Sequence, residues 1–197
     1  MKIKLLTEND YKTTLWSGGK TCQIMIYPYD ADFSKKDFIW RISSATVETE
    51  KSTFTIFKDY NRYISTIEGN IKLTHQNDSK DYLLKEYELH SFDGAVDTQS
   101  LGKCTDYNLM LRKNKAEADI KSISLQKNEE MDLSINVGEN EFFIIFCGDG
   151  KFNLQYRNEK IEVISKNAIL IEDFSEKVTI MAEKNTNIIY QKIKINK

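Results

Sequence analysis

Read two residues at a time, the chain is a series of short alternating runs separated by polar breaks. Residues 21–27 place Thr21, Gln23 and Met25 on one face and Cys22, Ile24 and Ile26 on the other. Residues 40–47 place Trp40, Ile42, Ser44 and Thr46 against Arg41, Ser43, Ala45 and Val47. A third run, 62–69, again opens on an arginine, and shorter alternations follow at 71–74 and 82–92. Residues 106–112 set Asp106, Asn108 and Met110 against Tyr107, Leu109 and Leu111. Gly18-Gly19, the single proline Pro28, Asp93-Gly94 and a loop over 95–103 punctuate these runs. Only 113–119 (KNKAEAD) suggests a helix or linker.

The apolar pattern repeats. Gly69, Ile71, Leu73 and Leu89 fall 81 positions later on Gly150, Phe152, Leu154 and Leu170. The same shift carries Tyr63 and Ile64 to Ile144 and Ile145, and Tyr107 and Leu109 to Ile188 and Tyr190. Self-similarity at a fixed spacing signals a duplicated unit. Many short strands without helical period give an all-β expectation: two jelly-roll-like β-barrel units, a bicupin, spanning 1–115 and 116–197.

The polar rows do not survive the shift. Arg62 becomes Phe143, Thr66 becomes Cys147, Asp106 becomes Asn187 and Asn108 becomes Ile189. A polar lumen costs stability unless something satisfies it, so the site is expected in the first unit. Its rows pair Thr21 with Gln23, Arg41 with Ser43, Arg62 with Thr66 and Asp106 with Asn108. If these share a cavity, one arginine pairs with Asp106 and the other is free to hold an external anion. A guanidinium fork fits a carboxylate with two parallel hydrogen bonds. The alternative puts both arginines in solvent over a core of Trp40, Ile42, Tyr63 and Ile67. Trp16 and Trp40 read first as core aromatics.

Composition adds mainly exclusions. The chain has 197 residues and a formal charge of -2 with signs interspersed, which argues against a nucleic-acid or membrane surface. No run approaches the ~20 apolar residues of a membrane span, and the N-terminus forms no signal-peptide core. Three scattered cysteines fit neither a disulfide framework nor a zinc set, so a reducing cytoplasm is expected.

Trp16 to Thr21 (W-x-G-G-x-T) with Gln23, Phe38 to Ala45 (F-x-W-R-I-S-x-A) and Phe54 to Arg62 (F-x-x-F-x-x-x-x-R) form an ordered set. With an E-G turn, Phe92 to Gly94 (F-x-G) and Asp106 to Met110 (D-x-N-x-M), this set resembles the HutD/Ves family over about residues 5–112. The resemblance implies a bicupin fold, a cytoplasmic protein and a link to histidine utilisation through binding of a pathway metabolite. Urocanate and formiminoglutamate are both carboxylates, in keeping with the arginines. Carried over residue by residue, the motif includes Trp16, Thr21, Gln23, Trp40, Arg41, Ser43, Arg62, Asp106 and Asn108. Lys51-Ser52-Thr53 departs from the family's usual Gly-Pro turn.

Other signals are weaker. Gly19-Lys20-Thr21 ends like a phosphate-binding loop, but Thr14 stands where its first glycine belongs. His75 and His90 lie fifteen positions apart without a His-x-His, so neither metal nor cofactor is expected, even with Glu86 or Glu88 as a third ligand. The lysine-rich C-terminus reads as a solvated edge strand. The proposed row holds one carboxylate and no histidine or lysine. That favours non-catalytic binding of a small carboxylate over a metal-independent isomerase or lyase using Asp106 as acid/base. Pairing of two copies through sheet edges is a further expectation.

Overall fold

The computed structural model describes residues 2–196. Its chain opens with strand β1 (Lys2–Leu6). Next come β2 (Lys12–Trp16), β3 (Gly19–Tyr27), β4 (Trp40–Val47), β5 (Lys51–Thr53) and β6 (Tyr60–Glu68). They are followed by β7 (Ile71–His75), β8 (Asp81–Leu84), β9 (His90–Asp93), β10 (Thr98–Leu101) and β11 (Cys104–Arg112). Then come β12 (Ala116–Leu125), β13 (Glu130–Val137), β14 (Glu141–Asp149) and β15 (Lys151–Tyr156). The last four are β16 (Glu159–Ile164), β17 (Ala168–Glu172), β18 (Phe174–Ala182) and β19 (Thr186–Ile195). The fold is all-β. Among the described residues, helix is confined to two single turns, and none is long and apolar enough to cross a membrane.

The chain divides into residues 11–116 with Asn196, and residues 2–10 with 117–195. The first unit holds a sheet ordered β2-β3-β4-β11-β6-β9 and another ordered β5-β10-β7-β8. The second holds β1-β17-β14-β19-β12 and β13-β18-β15-β16. Adding eight to each strand number turns β4-β11-β6-β9 into β12-β19-β14-β17, and β5-β10-β7-β8 into β13-β18-β15-β16. Duplication is thus written in the strand order. Each unit then extends one edge: β2 and β3 beside β4, and β1 beside β17.

Several sequence expectations change at this level. The alternation pattern places 1–115 in one unit, but β1 hydrogen-bonds to β17, so residues 2–10 lie in the second unit. Residues 116–119 are neither helix nor linker; they begin β12, after a turn at Asn114. The expected loop at 95–103 contains β10, and 82–92 is two strands interrupted at 85–89. The lysine-rich end is not an edge. β19 lies between β14 and β12, with Lys192 bonded to Glu141 on one face and Ile193 buried on the other.

The two interiors differ. In the second unit, Phe143, Ile145, Cys147, Phe152, Leu154 and Ile188 belong to one apolar cluster. In the first, Val47, Ile64, Ile71, Leu73 and Leu84 form one apolar cluster, and Ile26, Phe38, Phe57, Tyr60 and Met110 form another. The polar row is buried in this unit as well.

Candidate functional site

The site is built on three cross-strand rows of the six-stranded sheet. Ile26, Arg41, Met110, Arg62 and Phe92 stand side by side across β3, β4, β11, β6 and β9. Gln23, Ser43, Asn108, Ile64 and His90 form the next row, and Thr21, Ala45, Asp106 and Thr66 the third. Directly opposed residues of an antiparallel pair put their side chains on the same face. This face therefore collects both arginines, the carboxylate and the amides.

Two bulges set that alignment. Ile24 is an extra residue in β3, so Gln23 opposes Ser43 while Met25 opposes Ile42. Past the bulge, Ile26 rather than Met25 shares the face of Arg41, which corrects the simple alternation. Ile67 is likewise extra in β6, so Asp106 comes opposite Thr66.

Arg41 donates from Nε to Gln23 Oε1 at 2.9 Å and from Nη1 to Ser43 Oγ at 2.9 Å. Arg62 donates from Nη2 to Asn108 Oδ1 at 3.3 Å, and Asn108 Nδ2 donates to Asp106 Oδ1 at 2.6 Å. The same Oδ1 accepts the Ala45 N–H at 2.8 Å. The expected arginine–aspartate ion pair does not form; Asn108 stands between Arg62 and Asp106. Among the described residues neither guanidinium has a carboxylate partner. Arg62 Nε and Thr66 Oγ1 are buried and unpartnered.

Aromatic rings supply shelves instead. Asp32 caps a short turn (Phe33–Lys35) by accepting the Ser34 N–H at 2.9 Å, and the Phe33 ring meets the Arg41 guanidinium at 4.0 Å. Phe54 and Phe92 stack 5.9 Å apart and lie 4.8 and 5.1 Å from the Arg62 guanidinium. Such contacts contribute about 0.5–2 kcal/mol, less than the several kcal/mol that burying an ion costs. Burial draws both arginines down to about 10; the charge of Arg62 adds to this at Arg41, and Asp106 opposes it at both. Burial pushes Asp106 up to about 6, against its hydrogen bonds from Ala45 and Asn108 and the fields of Arg62 and Arg41.

These groups line a cavity of about 330 Å³. Trp16, Thr21, Arg41, Ser43, Arg62, Asp106 and Asn108 all contribute to its wall. Trp16, 39% exposed, folds over Gly18, where a Cβ would come within 2.1 Å of the indole ring.

The family model for HutD matches residues 8–190. The chain belongs to the HutD family. It is similar in structure to PA5104 from Pseudomonas aeruginosa PAO1, a conserved protein of unknown function, with TM-score 0.82, 18% identity and 100% of both chains covered. HutD from Pseudomonas fluorescens SBW25, solved in a formate condition, gives TM-score 0.76 and 18% identity over 100% of both chains. The bacterial pirin YhhW from Escherichia coli, in complex with nickel(II), gives 0.71 and 10% over 97% and 98%. No curated protein matches the chain in sequence.

In this HutD-family chain two of the nine sequence-derived residues lie outside the cavity wall. Gln23 acts one step back, holding Arg41. Trp40 points to the opposite face of β4, where it is fully buried and stacks on Tyr27 at 5.8 Å. Phe33, Phe54, Phe57, Ser52 and Thr53 also line the cavity but come from turns and a short strand. Lys51-Ser52-Thr53, which departs from the family pattern, forms β5 against β10.

His75 and His90 meet at the β9 end of the second row, outside the cavity wall, Nε2 to Nε2 at 2.8 Å, with ring planes 15° apart and centroids 5.1 Å apart. That separation is what two rings in one plane, nitrogen to nitrogen, would give, so this is a head-on hydrogen bond. His75 Nδ1 bonds to Thr98 Oγ1, whose hydroxyl donates to the Val96 carbonyl. Glu86 and Glu88 instead accept backbone N–H groups of Gly69 and Lys85. Among the described residues no three His, Cys, Asp or Glu side chains converge as a metal-ligand set.

Proposed function

We propose that this chain binds a small carboxylate metabolite in the first-unit cavity without transforming it. Membership of the HutD family suggests a histidine-utilisation-associated protein, and a sensing or regulatory role in the cytoplasm fits that setting. The observation that carries the reading is the pair of buried guanidiniums on one cavity wall that holds a single carboxylate, with neither guanidinium bonded to a carboxylate among the described residues. A buried charge is stable only when paired, and a planar carboxylate offers the matching acceptor geometry. The cavity volume is at the lower end of the small-molecule range of roughly 300–1,000 Å³.

A thermal-shift series with urocanate, formiminoglutamate and other amino-acid catabolites tests it. At least one carboxylate should raise Tm, and Arg41→Ala should weaken that ligand by tenfold or more while leaving the fold intact. Unchanged affinity for every carboxylate tested would overturn the reading. A second reading rests on Asp106, whose carboxyl titrates near 6 in the cavity wall. A metal-independent isomerase or lyase would use it as acid/base. Turnover of a bound carboxylate that disappears in Asp106→Asn would favour that reading.

A further inference from the structure

We propose that Asp106 is the proton-bearing partner of the bound anion: when a carboxylate enters the cavity, Asp106 takes up a proton from solvent, keeps it on Oδ2 and donates a hydrogen bond from it to the ligand. This rests on the carboxylate reading above and adds a protonation state and a pH dependence to it.

The two carboxyl oxygens have different tasks. Oδ1 accepts from the Ala45 N–H at 2.8 Å and from Asn108 Nδ2 at 2.6 Å, which occupies its lone pairs. The Asn108 amide cannot turn to relieve this, because its own Oδ1 accepts from Arg62. Among the described residues Oδ2 accepts no hydrogen bond, and Asp106 belongs to the cavity wall. A proton on this carboxyl therefore sits on Oδ2, available to the ligand.

Charge gives the direction. Arg41 faces Asp106 from β4 and Arg62 from β6, and Cys104 lies two residues back on β11. Burial holds the Cys104 thiol up at about 12, so it stays neutral. The wall from β2, β5 and the segment after it brings hydroxyls and rings alone. Two guanidiniums and one ionised carboxylate leave one positive charge. A monoanion placed there would put a second carboxylate against Asp106, and like charges favour protonation of one of them. Burial has already brought the free group up to about 6, and a neighbouring anion raises it further. Binding above that pH must then consume a proton.

Calorimetric titration with formate and with pyruvate, both fully ionised near neutrality, reads this directly. The whole chain would be titrated at pH 7.5 in triethanolamine and in Tris, cationic buffers that differ in ionisation enthalpy and add no competing carboxylate. Uptake should approach one proton per bound anion, and affinity should fall about tenfold per pH unit from 7 to 8. In Asp106→Asn the amide retains both bonds to Oδ1 and presents an N–H to the cavity. Its binding heat should be the same in both buffers and its affinity flat with pH. In the wild type an infrared band of a protonated carboxyl should appear on binding, a readout independent of any variant's folding. Equal heats in both buffers, proton release, absence of the band, or undiminished uptake in Asp106→Asn would each overturn the inference while leaving anion binding in place. The last outcome would point to His75 and His90. No heat and no thermal shift with either anion would remove the carboxylate reading itself.

Discussion

At the residue scale, this molecule buries two guanidiniums beside a single carboxylate, and among the described residues neither touches it directly. Arg41 is held by Gln23 and Ser43, and Arg62 by Asn108; all are neutral acceptors. They orient the guanidiniums without discharging them, which keeps the positive field directed at whatever enters. The histidine pair shows the opposite policy. Burial holds both below the ordinary histidine value, His75 lowers His90 further, and Asp78 opposes both effects. The folded chain thus binds these protons less readily than the unfolded chain. Their contribution to stability is complete above the unfolded value of about 6.5 and is lost as pH falls below it. Tm should fall by a few degrees between pH 7.5 and 5.5, and the double variant His75→Gln/His90→Gln should show a shallower fall. Asp106 acts in the other direction below about 6, but it is common to both proteins and cancels in the comparison. An equally steep fall in the double variant would remove the pair from the account.

At the scale of elements, the turn joining β6 to β7 is the counterpart of that joining β14 to β15. Gly69 and Gly150, 81 positions apart, have φ values of 81° and 89°. A Cβ at Gly69 would lie 2.7 Å from the Lys103 carbonyl, and one at Gly150 would lie 2.3 Å from that of Asn185. Each of those carbonyls sits just before the strand that pairs with β6 or β14. Gly69→Ala and Gly150→Ala should therefore each cost about 1 kcal/mol or more through positive φ alone, with the carbonyl contact adding to it. Urea unfolding measures both. A neutral result at either position would break the equivalence of the two turns. The repeat is not uniform, however. Asp106 opposes Thr66, whereas Ile188 opposes Cys147, a spacing of 82 rather than 81. The counterparts of Asp106 and Asn108 are then Ile188 and Tyr190, not Asn187 and Ile189. A one-residue slip moves a side chain to the other face, and nothing in a run of alternating residues reveals it.

Across the molecule, one architecture is used twice with different interiors. Phe143 sits in an apolar cluster where Arg62 sits in a polar row. Arg62→Met should leave stability within about 1 kcal/mol of wild type or raise it, because an unpaired buried charge is replaced by an apolar chain of similar length. It should also abolish carboxylate binding. Phe143→Arg should cost on the order of 3–5 kcal/mol, since it would place a charge within an apolar cluster. Urea midpoints for the two variants decide it; equal destabilisation would mean that the interiors have not diverged in this way.

The amino-acid order alone determined which residues alternate, and therefore the strands of β3, β4, β6 and β11 and the polar row they share. It also determined that the second copy lacks that row. These are local properties: a strand's side chains alternate because of its own backbone geometry, whatever it pairs with. Tertiary structure decided the rest. Strand order, the bulges at Ile24 and Ile67, and the insertion of Asn108 between Arg62 and Asp106 depend on hydrogen bonds between distant segments. So does the arrival of Phe33, Phe54 and Phe92 beneath the guanidiniums. Trp40 shows the boundary most clearly. Its neighbour Arg41 lines the cavity while Trp40 itself is buried on the reverse face, a choice settled only when the sheet closes over one side.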